Sequence, residues 1–329
     1  MRFLAGWWDI FGRENVESFE KFHYEATDPA CELKLIMVPG GHCLPREVTW
    51  PDMSTSIYDD ITTYLFLRES GATIPPELEA RVNEADTITF YVMGADGTTV
   101  GNYWTTLPAW PTATRTNFYL APNGTLSRTA PTSTSIAPLT YTYDPSDPIE
   151  TIGGAELFLP CGPRDNNALL GRDDILWFTL PAFTENTAVV GELTATLWVS
   201  TDRNDTDFMV KLFDVYPDGR SMLFHDGMMR LRWRNGGETP ELAVPGTVYE
   251  LNIKIWRTAY IFEPGHALRV AIQSSNEPRY TVNPNNGLPI GEDGPLLVAR
   301  NTVYLDANRP SHVTLPIVPT SSLPRNFTP

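Results

Sequence analysis

Hydrophobic spacing divides the chain into two parts with different periods. Over residues 1–75 strand-like runs alternate with helical spacing. Residues 1–8, with an apolar run from Phe3 to Trp8, predict a buried strand. Asn15 stands where a helix cap would, and Val16, Phe19, Phe22 and Ala26 fall near one face of the helix that follows. Residues 33–38 form a second short apolar run, stopped by Pro39-Gly40-Gly41, which predicts a second buried strand. Ile57, Ile61, Tyr64 and Leu65 return to helical spacing, with Gly71 placed to end that helix. Strand, helix, strand, helix predicts part of a parallel sheet. One such unit is not stable alone, so the pattern implies more sheet than these residues supply. Pro75-Pro76 and the polar residues to Ala85 read as a linker, placing an α/β part over 1–78 and a second domain over 86–329.

From Asp86 the period falls to two. Leu193, Ala195, Leu197 and Val199 share one strand face, as do Leu251, Ile253 and Ile255, and Leu268, Val270 and Ile272. Turn signals recur at Pro122-Asn123-Gly124, Pro217-Asp218-Gly219 and Asn235-Gly236-Gly237. Short alternating strands punctuated in this way predict an all-β sandwich or jelly roll. The expected fold class is therefore α/β followed by all-β.

Composition narrows the functions open to such a chain. The 42% hydrophobic and 19% charged residues are those of a globular protein. A net charge of −16 repels polyphosphate, so no nucleic-acid partner is expected. No apolar run reaches the ~18 residues of a membrane span, and no membrane partner is expected. Three cysteines, Cys31, Cys43 and Cys161, give neither a disulfide framework nor a zinc pattern.

The candidate chemistry sits at the ends of the two predicted parallel strands. Asp9 follows the first and His42 the second. Loops at the carboxyl ends of such strands open onto a crevice, and neighbouring strands lie about 5 Å apart. An Asp accepting from imidazole Nδ1 fixes the tautomer, leaving Nε2 to deprotonate a hydroxyl. Asp before His matches the last two places of the Ser, Asp, His order of α/β-hydrolases. The plainer alternatives are a helix-capping Asp and a loop His.

Gly6-Trp7-Trp8-Asp9-Ile10-Phe11 and Pro39-Gly40-Gly41-His42 resemble the acid and base segments of the cocaine esterase and Xaa-Pro dipeptidyl-peptidase family of serine hydrolases, although the Trp that the family places before its His is missing. The resemblance continues in order through Tyr91-Val92-Met93-Gly94, Trp110-Pro111, Tyr143-Asp144-Pro145, Cys161-Gly162-Pro163-Arg164-Asp165, Asp205-Thr206-Asp207-Phe208, Pro217-Asp218-Gly219 and Asn283-Pro284. It implies the end of an α/β-hydrolase domain followed by a galactose-binding-like jelly roll. It also implies Asp9 and His42 as triad members, a small ester or peptide substrate and no cofactor. By family analogy Phe11 lines the acyl pocket; Trp7 and Trp8 flank the same site, and strand alternation turns one to the crevice and the other to the core.

The family nucleophile lies in a Gly-x-Ser-x-Gly elbow, and no serine here has glycines at both −2 and +2. The expectation is a serine hydrolase lacking its nucleophilic segment, inactive alone. The alternative is a non-catalytic β-sandwich binding module carrying a hydrolase remnant. Asp205, Asp207, Asp214 and Asp218 read as turn caps and solvated carboxylates rather than a calcium loop. His225 and His266 read as structural, Arg172 with Asp173 and Asp174 as a local ion-paired turn, and Cys43 as an improbable nucleophile.

Overall fold

The computed structural model describes residues 2–25, 33–42, 56–157 and 160–328. Cys31 and Cys43 lie outside them. The chain opens with β1 (Arg2–Trp8), α1 (Gly12–Glu25), β2 (Lys34–Gly41), α2 (Ser56–Ser70), α3 (Pro76–Glu84), β3 (Ile88–Gly94) and β4 (Tyr103–Leu107). Strand β2 pairs in parallel with β1 on one side and β3 on the other, and β4 closes antiparallel on β3. Every residue of β2 is buried, as a central parallel strand covered on both faces requires. Helix α1 buries Val16 and Phe19, and Phe19 meets Phe3 of β1 edge to face at 5.8 Å.

Helix α2 ends as its glycine predicts. Gly71 has φ +69°, its N–H reaches Arg68 O and the Ala72 N–H reaches Leu67 O, the paired bonds of a Schellman cap. Two expectations need correction. Asn15 does not cap α1, which starts at Gly12; the Asp9 carboxylate takes the Phe11 N–H instead, at 2.9 Å. The expected linker after Pro75 is helix α3, with Pro76 at its first turn and Leu78 and Val82 buried one turn apart. Lys34 turns its ammonium onto the carbonyls of Asn83 and Ala85 at the end of that helix. The parallel sheet thus runs on through β3, beyond the boundary expected after residue 78.

The remaining strands are β5 (Thr114–Leu120), β6 (Leu126–Ser127), β7 (Leu139–Tyr143), β8 (Leu176–Thr179), β9 (Thr187–Thr201), β10 (Asp207–Val215), β11 (Ser221–Arg230), β12 (Tyr249–Phe262), β13 (Ala267–Gln273), β14 (Ala299–Tyr304) and β15 (His312–Val318). A four-stranded sheet has the order β11-β10-β13-β8. The larger sheet runs β12-β9-β15-β5-β6, with β14 and β7 branching from β9. The three predicted apolar faces all point inward: Leu193 to Val199 on β9, Leu251 to Ile255 on β12 and Leu268 to Ile272 on β13. Aromatic rings from both sheets meet between them, with Phe224 of β11 at 5.4 Å from both Tyr260 and Phe262 of β12.

Two kinds of contact fasten the parallel strands to this sandwich. Strand β3 pairs in parallel with the end of β12, Met93 against Tyr260 and Gly94 against Ile261. Helix α1 lies on β12 through a two-pronged Arg257–Glu20 pair at 2.6 and 2.7 Å. Burial of the Glu20 carboxyl outweighs the Arg257 guanidinium and pushes its pKa above the usual carboxylate range. The charged pair therefore adds little net stability. Glu20→Gln is expected to change the unfolding free energy by less than about 0.5 kcal/mol, whereas Arg257→Met, which strands the carboxylate, costs about 1–3 kcal/mol. Urea unfolding of the two variants distinguishes these outcomes.

Candidate active site

Strands β1 and β2 end side by side. Their register runs Gly6 against Val38 and then Trp8 against Gly41, so β2 carries one extra residue before its tip. Two glycines permit this approach. A Cβ at Gly6 would collide with the Gly40 carbonyl, and one at Gly41 would collide with Cys161 Sγ. Immediately beyond the Trp8–Gly41 rung stand Asp9 and His42, with His42 Nδ1 at 3.1 Å from Asp9 Oδ1. The Asp9 side chain is 16% exposed and the His42 side chain 40%.

The same Asp9 oxygen accepts the Phe11 N–H, and the Asp9 carbonyl accepts the Gly12 N–H at 2.8 Å. Asp9 is therefore both the turn residue that launches α1 and the hydrogen-bond partner of His42. Assigning the Nδ1 proton to the Asp9 contact leaves Nε2 as the imidazole nitrogen available for proton transfer. Phe11, 53% exposed, sets its ring edge-on to the imidazole at 5.3 Å.

The tryptophans depart from expectation. They point to opposite faces, as strand neighbours do, but both faces are covered. The Trp7 indole N–H donates to Tyr91 O at 2.8 Å, and the Trp8 indole N–H donates to Phe224 O at 3.1 Å. Neither ring is presented at the rim where Asp9 and His42 meet, since both are fully buried.

Behind Trp8 lies a group whose environment the sequence did not disclose. His225 is buried between the Trp8 ring at 6.0 Å and the Trp256 ring at 6.4 Å, and its Nε2 has no hydrogen-bond partner among the described residues. Burial, reinforced by the Arg279 guanidinium, pushes its pKa down to about 3. The unfolded chain protonates this histidine near pH 6.5 and the folded chain does not. Stability is therefore full above about pH 6.5 and falls by about 1.4 kcal/mol per pH unit below it, until the folded group itself titrates. His225→Phe keeps a flat ring between the two indoles. It is expected to shrink the stability difference between pH 7 and pH 5 by about 2 kcal/mol, measured by denaturant unfolding at each pH.

The acidic stretch is more deeply buried than expected. Asp205 pairs with Arg232 and Asp207 with Arg230. Asp214 accepts from Tyr260 and lies 2.9 Å from His266 Nδ1. These three carboxylates are fully buried rather than solvated. Asp218, in its turn with Arg220, matches the expectation. Burial is the leading cause that raises Asp207 and Asp214 above the ordinary range. Among the described residues no cluster of three or more His, Cys, Asp or Glu side chains is arranged to hold a metal ion. Arg172 grips Asp174 with two bonds, the local ion pairing its sequence suggests.

Solved structures with the same architecture include an α-amino acid ester hydrolase (TM-score 0.79, 23% identity, 96% of this chain and 55% of that one). Another is an aminopeptidase from a marine sediment Thaumarchaeota archaeon (TM-score 0.80, 21% identity, 97% of this chain and 55% of that one). The fold is thus that of a large, mostly β part of such enzymes. The chain belongs to the family of the X-Pro dipeptidyl-peptidase C-terminal non-catalytic domain, whose model matches residues 72–314. It is also 36% identical over 244 residues to the cocaine esterase of Rhodococcus sp. (strain MB1 Bresler), a match covering 70% of this chain and 42% of that protein. The chain spans about half the length of these relatives.

Proposed function

We propose that this chain supplies the acid and the general base of a serine hydrolase acting on ester or amide bonds, and that the nucleophile comes from a Gly-x-Ser-x-Gly elbow outside these residues. The observation that carries the reading is the Asp9–His42 contact of 3.1 Å at the tips of two adjacent parallel strands. In this reading His42 Nε2 takes the proton of the serine hydroxyl as it attacks the carbonyl, then returns it to the leaving alcohol or amine. Asp9 orients the imidazole and stabilises the imidazolium. Phe11, beside the imidazole and open to solvent, lines the acyl side of the substrate. Trp7 and Trp8 have no such role.

Strands β1 and β2 are then the end of an α/β-hydrolase sheet, which β3 continues into the matched domain, and the sandwich is a galactose-binding-like jelly roll. Support comes from the outer edge. Among the described residues strand β1 is last in its sheet and pairs with β2 alone. Phe22 on α1, beside Phe3 of β1, is 53% exposed. Both features suit a further strand and its helices packing there. The part matched as non-catalytic begins at residue 72, so Asp9 and His42 fall outside it. That favours hydrolase membership for the first strands over a purely non-catalytic binding module.

The test is to join these residues to a segment bearing the elbow and assay p-nitrophenyl esters and Xaa-Pro anilides. Hydrolysis of either class above the rate of a variant lacking the elbow serine is the expected result. Neither class being turned over by a folded protein contradicts the proposal.

A further inference from the structure

The last rung between β1 and β2, Trp8 against Gly41, lies directly beneath the acid–base pair, because Asp9 and His42 are the next residue on each strand. Both ends of that rung are held by the sandwich. On one end, the Trp8 indole N–H donates to the Phe224 carbonyl of β11 and its ring stacks on His225. On the other, Cys161 packs its Sγ so near the Gly41 backbone that a Cβ there would collide with it. Cys161 is itself fixed, since the next residue, Gly162, exchanges two backbone hydrogen bonds with Gly154, at 2.8 and 2.9 Å.

We infer that Trp8 and Cys161 are positioning residues through which the sandwich sets the distance and angle between Asp9 and His42. The inference rests on the proposed acid–base role of that pair and gives the domain outside the chemistry a specific part in it. The reason is leverage. Asp9 and His42 sit at strand ends, and the His42 side chain is substantially exposed. A hydrogen bond between such groups holds its geometry only if the backbone beneath is fixed from elsewhere. Removing either clamp frees one strand tip to move relative to the other. A purely structural contact would lower stability and leave the imidazole's hydrogen bonding as it was.

The measurement is the tautomer of His42 at pH 9, above the ordinary histidine range. It is read from the ring nitrogen shifts of the chain labelled with ¹⁵N-histidine. The chain has five histidines, and His42→Gln assigns the signal. The parent chain is expected to hold the Nδ1–H form bonded to Asp9. Trp8→Phe keeps an aromatic ring but removes the donor to Phe224, and is expected to move the tautomer ratio about tenfold toward Nε2–H. Gly41→Ala, which collides with Cys161, is expected to do the same, and Cys161→Ala added to it, which lets the new methyl take the place of Sγ against the Cys161 Cβ, to return the ratio to the parent value. This second series stands if Trp8→Phe fails to fold. An Nε2–H form in the parent chain would overturn the acid–base reading itself. An Nδ1–H parent whose ratio is unmoved in folded Trp8→Phe and Gly41→Ala would overturn the positioning role alone.

Discussion

In a polypeptide that joins these residues to a serine elbow, His42→Ala is expected to lower kcat by about 10⁶-fold and Asp9→Asn by about 10⁴-fold, with KM little changed. The two numbers differ because the residues do different things. Without His42 no group takes the serine proton, and the nucleophile stays a neutral hydroxyl. With Asn at position 9 the amide can still meet Nδ1, but it favours the tautomer whose Nε2 already carries a proton. The base is then present in an unusable form. Neither side chain is expected to grip the bound substrate, so the losses fall on the chemical step. Steady-state rates on a p-nitrophenyl ester measure both. Losses of less than about tenfold would mean that another pair performs the proton transfers.

The second large effect is on stability and concerns the buried Asp205–Arg232 pair. Arg232→Met is expected to cost about 3–5 kcal/mol of unfolding free energy. Asp205 is fully buried, and Arg232 donates to both of its oxygens, through its backbone N–H at 2.9 Å and Nε at 2.7 Å. Asn283 adds a third donor and reaches Asp207 with the same amide, while Arg230 holds Asp207 with two bonds. Two carboxylates and two guanidiniums thus share one buried network. Removing one cation leaves a buried anion without its paired charge, held only by the backbone N–H of residue 232 and the Asn283 amide. Replacing both partners removes that penalty, so Asp205→Asn with Arg232→Met is expected to recover most of the loss. Urea unfolding of the single and double variants decides it. A single-variant cost under about 1 kcal/mol would mean that the carboxylate finds other partners or is neutral in the fold.

Much of the site was legible from the chain because it depends on short-range features. Apolar runs fix β1 and β2, Pro39-Gly40-Gly41 marks the second strand's tip, and Asp9 and His42 follow from being next in line. Other features depend on partners distant in sequence. Trp7 and Trp8 alternate as a strand demands, but alternation cannot say that both faces are covered, one near Tyr91 and the other by Phe224. The pairing of β3 with β2 joins residues some fifty positions apart, and no periodicity reports it. His225 and the buried aspartates look like ordinary polar positions until β11 is laid against Trp8 and Arg232 is brought to Asp205. Helix α3, by contrast, has a local signal: a proline at the first turn followed by Leu78 and Val82 is a helix start, not a linker.

The central claim is that His42 of this chain activates a serine it does not itself contain. Fluorophosphonate labelling tests it most directly, because the probe reports a serine only when a base is poised to activate it. The 329-residue chain alone is expected to remain unlabelled. The polypeptide carrying the elbow is expected to take up one equivalent, and His42→Ala in that polypeptide to abolish the uptake. Stoichiometric labelling of the chain alone, or undiminished labelling after His42→Ala, would contradict the account.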